Sequence, residues 1–315
     1  MLQKTNIAIS KIQSIIQNID EILLGVKSES TLLNRIIDHI SGGKRLRPIL
    51  VVASARSLGF DQEDILQNLA CIVEYIHIAS LLHDDVIDEA KKRRGKESVN
   101  SLYGNRVAIM SGDYLYSLAY NQVLEIDINI AKEISKAAYN LALGEIIEIE
   151  NFSKMISQDE YFDIIYKKTA SLIESACTSG CLIAKKEEEL EHFRQYGKNL
   201  GLAFQIKDDL MDYSSADIGK DNFNDIQEGK VTLPLILAIK EDPNLEYHLT
   251  EYFKTKKEEH KRYCIDSCIE NGIDQAFEIA KQKALIAKDN IKHLPDSIYK
   301  DILNFLADYS ISREK

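Results

Sequence analysis

A 315-residue chain with 45% hydrophobic and 28% charged residues belongs to the globular class, which excludes a disordered or fibrous protein. Its net charge of −11 argues against a nucleic-acid partner, because phosphate backbones attract basic patches. With 14 Gly and 4 Pro there is little to interrupt long helices, so an all-α fold is expected.

In chain order, "MLQKTNIAISKIQSIIQNIDEILLG" lacks the basic start and unbroken apolar run of a secretory leader. It reads as an amphipathic helix with Ile9, Ile12, Ile15, Ile16, Ile19, Ile22 and Leu23 on one side. "STLLNRIIDHISGG" reads as a capped helix ended by Gly42 and Gly43, with Pro48 early in the next helix. The stretch from Asp61, taken as N-cap, runs without a breaker to Ala90. Ser157 and Glu160 have the spacing of a capping box, and "HFRQYGKNLGLAFQIKDDLMDY" is helical up to a Ser, Asp and Gly cluster. The polar break at 240–244 and the charge run at 254–262 are solvated helix ends and loops.

No repeat, low-complexity tract or Pro/Ser linker divides the chain, so one all-α domain over 1–315 is expected. No window approaches 18 uncharged apolar residues, so no membrane span is expected. The five cysteines, Cys71, Cys177, Cys181, Cys264 and Cys268, fit free thiols of a reducing cytoplasm. The two CxxxC pairs are small apolar core residues in this view, rather than zinc ligands.

The stretch "SLLHDDVIDEAKKRRGKESVN" places acids directly before bases on a helix that otherwise looks buried. Asp84 and Asp88 are four apart, so they share a face about one turn, roughly 6 Å, from each other. Adjacent carboxylates repel unless a cation lies between them, and magnesium, with its hard oxygen ligands, is the natural candidate. Alone, this motif is equally a solvated acidic face. It recurs, however, as Asp208, Asp209 and Asp212. Two such helices facing each other across a cavity would hold a magnesium cluster with room for a bridging diphosphate. Lys44, Arg45 and Arg47 follow a Gly pair near a helix start, Arg93 and Arg94 follow the first acids, and Lys168, Lys220 and Lys230 lie in polar breaks near the second. The set suggests two diphosphate sites, one metal-bridged and one held by Arg and Lys alone.

"GGKRLRP", "EYIHIASLLHDDVID", "RRG", Gly144–Glu145, "KKTASL", "FQIKDDLMDY" and "GKVTLP" run from Gly42 to Pro234. In these motifs the chain resembles the trans-isoprenyl diphosphate synthases, the polyprenyl synthetase family. The cysteine usage fits a cytoplasmic location, and the resemblance implies an all-α bundle around a deep central cavity, a homodimer and a magnesium cofactor, as a three-ion cluster with the allylic diphosphate. It implies that Asp84, Asp88, Asp208 and Asp212 ligate metal, with Asp85 and Asp209 in support. Arg93, Lys168, Thr169, Gln205, Lys220 and Lys230 would contact the allylic diphosphate, and Lys44, Arg47, His77 and Arg94 would hold isopentenyl diphosphate. Outside this context His77 reads first as a satisfied core histidine. The reaction implied is ionisation of the allylic C–O bond, attack by the isopentenyl double bond, and proton loss to the released diphosphate, with water excluded by an apolar cavity.

Ala79 and Ser80, just ahead of an uninterrupted first motif, are small and leave space for a growing tail. A long-chain product of about six to eight isoprene units is expected on family analogy, for a quinone side chain, with Tyr139 and Leu141 as the floor of the tunnel. Shorter-chain synthases, a class I terpene cyclase and a subunit of a heteromeric synthase are the rivals. The second intact acidic motif and "GGKRLRP" weigh against the last two. Two departures from the family stand out: Glu148 where Gln is usual, and Phe223 where Gly is common.

Overall fold

The structure is a computed structural model that describes residues 2–25, 27–40, 42–213 and 223–313, with the side chains of 2–5 left aside. Helices dominate throughout, as expected of an all-α chain. By contact density it forms two compact units. The first comprises 1–138, 172–194 and 293–305, and the second 139–171, 195–292 and 306–315.

Helix α1 (Leu2–Gly25) turns Ala8, Ile12, Ile15, Ile19 and Leu23 inward, a stripe at three- and four-residue spacing. Ile9 is exposed and Ile16 and Ile22 are only half-buried, so the apolar side is narrower than expected. Helix α2 (Thr31–His39) is capped by Ser30, whose hydroxyl accepts from the Leu33 N–H. Helix α3 (Leu46–Ser57) follows, with Pro48 in its first turn. Helix α4 (Glu63–Ile87) starts one residue later than expected, so Gln62 and not Asp61 stands at its N-cap.

By length and composition alone, α4 passes as long and apolar enough to cross a membrane. It is a core helix instead, with 72% of its apolar window buried within the protein. Leu66, Leu69, Ile72 and Ile76 are fully buried, each contributing about 1.5–3 kcal/mol over an exposed position. After a two-stranded hairpin, β1 (Lys92–Arg93) and β2 (Lys96–Glu97), come α5 (Val99–Tyr103) and α6 (Asn105–Ile126). The α6 face formed by Ala108, Ser111, Gly112, Leu115 and Ala119 is buried and packs on α4. Small residues there let the two axes come close.

Helix α7 (Ile128–Glu150) leads to α8 (Gln158–Ile165), whose capping box of Ser157 and Glu160 is formed as expected. The helix then passes through a π-helical turn (Tyr166–Ala170) into α9 (Ser171–Ile183). Helix α10 (Leu190–Met211), the short α11 (Asn224–Glu228) and α12 (Leu233–Glu241) follow. The chain continues as α13 (Leu245–Thr255), α14 (Glu258–Asn271), α15 (Ile273–Asn290) and α16 (Ile298–Ser312). Leu202, Ile206, Leu235, Leu249 and Ala276 belong to the core of the second unit. All five cysteines are buried, and burial raises each thiol's pKa, so they serve as packing residues.

Candidate active site

The first acidic motif ends α4 in the first unit. Asp84 is half-buried, Asp85 is buried, and Asp88 is the exposed C-cap, its N–H donating to the Asp84 carbonyl at 2.8 Å. Thus the two outer acids reach solvent while the middle one turns inward. The Arg93 Nε donates to Asp85 Oδ1 at 2.8 Å, and Asn100 donates to the Asp85 carbonyl at 2.9 Å. Arg93 can take this position because the hairpin turns tightly after it, with Arg94 and Gly95 both at positive φ, 52° and 77°.

Arg94 reaches back from that turn to the Gly42 carbonyl. It lines a cavity of about 330 Å³ with Gly42, Gly43, Arg93, Lys96 and, on the apolar side, Ile78, Leu81 and Leu82 of α4. Burial lowers the Arg94 pKa, partly offset by Glu74. His77 is held neutral: burial and then Arg47, Arg94, Arg45 and Arg93 push its pKa well below the usual range. Arg47 and Arg94 thus bring positive charge towards His77, while Arg45 and Arg93 are ion-paired with Asp20, Glu74 and Asp85. Arg45 has a different task. Its side chain is buried, donating at 2.7 Å to both Asp20 and Glu74, so it ties α1, α3 and α4 together rather than facing a ligand. Lys44 is exposed and Arg47 half-buried at the start of α3.

Ala79 and Ser80 are buried, and the Ser80 hydroxyl donates to the His77 carbonyl at 2.9 Å. The cavity on α4 is lined by their neighbours Ile78, Leu81 and Leu82. Tyr139 and Leu141 do not form one floor. Tyr139 is 67% exposed and Leu141 is buried, because two residues along a helix turn side chains to nearly opposite sides.

The second unit holds the second motif. Asp209 is buried and accepts from the Tyr161 hydroxyl at 2.5 Å and from Gln205 Nε2 at 2.8 Å. Thr169 in turn donates to Gln205 Oε1 at 2.6 Å, completing a chain from the π-helical turn to the motif. Burial and nearby Asp225 push the Asp209 pKa well above the carboxylate range, against the opposing hydrogen bonds from Tyr161 and Gln205. Asp208 is half-buried and pairs with Arg313 at 2.8 Å, whose guanidinium stacks 3.6 Å over the Phe204 ring. Asp212 accepts the N–H groups of Asn224 and Asp225 at 3.0 and 3.1 Å, capping α11.

Lys168 lies within the π-helical turn and not in a polar break, since no breaker interrupts the helix there. A π-helical turn inside a helix often marks a functional position. Its ammonium sits 2.8 Å from Glu145 and 2.5 Å from Glu148. Burial works to lower its pKa, but Glu148 and Glu145 outweigh that and raise it. Two close approaches allow this arrangement. A Cβ on Gly144 would meet the Lys168 backbone nitrogen at 2.6 Å, and one on Gly201 would meet Ala170 Cα at 2.5 Å. Glycine therefore lets α7 and α10 both press against the turn.

Lys230 is 3.8 Å from Glu148 and 2.6 Å from Glu228. Glu148, Tyr161, Lys168, Thr169, Gln205, Asp209, Asp225 and Lys230 line one small cavity of about 100 Å³. Lys220 lies outside the described residues. Phe223 adopts φ 63°, the left-handed region, and packs edge-on against Tyr213. Left-handed backbone explains why a glycine suits this position.

Sequence reasoning did not single out Arg313, Tyr161 or Asp225. Asp225 is raised to about 7 by burial and Asp212, with Lys230 opposing. Their links to the second motif come from α8, α11 and the residue after α16, and no fixed spacing announces them. The outer acids of both motifs offer hard oxygen donors one helical turn apart, a donor set that fits magnesium.

These observations agree with comparison to known proteins. Residues 30–270 match the family described as polyprenyl synthetase. The octaprenyl diphosphate synthase of Haemophilus influenzae is 36% identical over 313 residues, covering 96% of this chain and 93% of that protein. A decaprenyl diphosphate synthase from Rhodobacter capsulatus superposes with a TM-score of 0.91 at 28% identity, covering 98% of this chain and 99% of that one. A polyprenyl synthase from Caulobacter crescentus CB15, complexed with calcium and isoprenyl diphosphate, gives 0.87 at 32% identity over 99% and 97%. The chain belongs to the polyprenyl synthetase family, whose members are metal-dependent, and has the isoprenoid synthase fold. It is a trans-prenyltransferase of the long-chain type.

Proposed function

We propose that this enzyme condenses isopentenyl diphosphate in trans with an allylic diphosphate, using magnesium, to give a polyprenyl diphosphate of about six to eight units for a quinone side chain. The observation that carries this is the cavity where Lys168, Thr169, Gln205 and Lys230 converge beside Asp209. Two ammonium groups and a hydroxyl–amide pair there suit a diphosphate. Arg47, Arg94 and neutral His77 offer a second anion site, for isopentenyl diphosphate.

Asp84, Asp88, Asp208 and Asp212 would hold magnesium, with Asp85 and Asp209 fixing the backbone of each motif. When bound, magnesium neutralises charge on the diphosphate that leaves. Lys168 and Lys230 hold the same negative charge as the allylic C–O bond breaks, which lowers the barrier. Lys220 joins them on family analogy. Arg93, fixed on Asp85, keeps the first motif's middle acid paired while the outer acids act. The isopentenyl double bond then attacks the allylic cation, and the released diphosphate takes the proton. Apolar side chains such as Ile78, Leu81 and Leu82 exclude water from their part of the pocket.

A homodimer in the cytoplasm is part of this proposal. Its support is the exposed apolar set on α6, with Ile109, Met110 and Leu124 at 41%, 64% and 59% exposure. A second copy of the chain is the occupant that such exposed apolar residues at both ends of one helix suit.

The test is product analysis with labelled isopentenyl diphosphate, farnesyl diphosphate and magnesium, with Ala79→Tyr alongside. Wild type should yield chains of six or more units and the variant markedly shorter ones. Wild-type arrest at fifteen or twenty carbons overturns the product assignment, and absence of any elongation overturns the condensation itself.

A further inference from the structure

Glu189, His192 and His293 meet in the first unit, apart from every group assigned above. Glu189 closes the short turn Glu187–Glu189, His192 lies in the first turn of α10, and His293 comes from the loop between α15 and α16. The three-residue offset puts Glu189 and His192 on neighbouring positions of one face. His293 Nε2 is 2.7 Å from Glu189 Oε2, and the two imidazole rings have centroids 4.4 Å apart. One carboxylate oxygen and two ring nitrogens all lie within 4.8 Å of one another.

We propose that Glu189, His192 and His293 form a binding site for a borderline divalent transition metal of the zinc type. Two imidazoles and a carboxylate are a donor set that zinc accepts, and bonds of about 2.0–2.1 Å put neighbouring tetrahedral donors about 3.3 Å apart. Small side-chain rotations reach that spacing from the present one. The metal would replace the proton now shared by Glu189 and His293. Imidazole nitrogen separates this site chemically from the acidic motifs, because magnesium prefers oxygen. Glu187, Glu188 and Glu191 nearby in sequence add negative charge that attracts a dication. Three protein ligands leave the fourth position to water, which the half-exposed His293 admits. The bound ion would clip the α15–α16 loop to the start of α10.

The experiment uses the full chain, freed of metal, then equilibrated with zinc in millimolar magnesium and assayed for bound zinc and melting temperature. His192→Ala and His293→Ala should each retain one zinc fewer per chain than wild type. The affinity lost should be at least the 10- to 100-fold that removing even an outer partner of a metal ligand causes. Zinc should raise the melting temperature of wild type more than that of either variant. Cobalt substituted into the wild type should give the intense visible bands of a four-coordinate nitrogen and oxygen site, lost in both variants. Equal zinc retention by all three proteins, or a wild type without those bands, overturns the proposal and leaves Glu189 and His293 as an ion pair.

Discussion

Asp85 and Asp209 hold the same place in their motifs and are similarly buried, at 3% and 6% exposure, yet their surroundings differ in kind. Asp85 faces the Arg93 guanidinium, a full positive charge supplied by a hairpin only a few residues along the chain. Asp209 faces a phenol and an amide, and burial pushes its pKa far up. Dipoles offset the desolvation of a carboxylate less completely than a cation does. The first motif is therefore stabilised locally. The second depends on residues brought from α8, the π-helical turn and elsewhere on α10.

Four measurements probe this difference. The largest effect belongs to the outer acids: Asp84→Asn and Asp208→Asn should each lower kcat/KM by about 10²–10³, since each removes charge that is proposed to hold the metal. Loss confined to one of them would mean that a single motif carries the metal.

Next come the partners of the middle acids. Tyr161→Phe removes a hydrogen bond from a buried carboxylate and should cost about 1–3 kcal/mol of stability in urea denaturation. It should also move the Asp209 pKa higher still, because that hydrogen bond lowers it. Unchanged stability would show that Gln205 alone suffices.

Glu148→Gln is expected to act more mildly. Glu148 engages both Lys168 and Lys230, so a diphosphate binding there as proposed would have to displace a carboxylate from two ammonium groups. The variant should bind the allylic substrate more tightly, its KM falling by up to about tenfold with kcat little changed. A rise in KM would instead assign Glu148 to positioning the lysines.

The smallest effect concerns pH. The His77 pKa is depressed in the folded protein, by burial and then by the arginines, while an unfolded histidine titrates near 6.5. Below about pH 6.5 the unfolded chain takes up a proton that the folded one refuses, so stability falls as pH drops. His77→Asn should flatten the melting temperature between about pH 7 and 5 relative to wild type. An identical slope in the variant would locate the dependence elsewhere.

Much of the site was legible because its chemistry is written at fixed short spacings. The acids of each motif are three or four residues apart, so one helix aligns them whatever packs against it. The Ser157 and Glu160 cap is local for the same reason. Lys168, Thr169, Gln205 and Lys230 were recognised through short motifs of the family, and the second unit does bring them to one cavity. The assignments that failed needed a third dimension. The apolar side of α1 was drawn too wide because hydrophobicity does not say which isoleucine meets a neighbour, and Ile9 meets none that covers it. Tyr139 looked like a tunnel floor until its exposure was known.

By itself the sequence determined the helical class and the two acidic motifs, since periodicity, spacing and side-chain chemistry act within a few residues of chain, and the reaction type was implied by the resemblance of its motifs to a family. The tertiary structure alone decided the partners of those residues. It assigned Arg45 to an internal ion pair, Arg313 to Asp208, Tyr161 to Asp209 and Glu148 to two lysines. Those contacts join positions from 20 to 105 residues apart in sequence, where only the packing of helices, and no local propensity, brings groups within hydrogen-bonding reach.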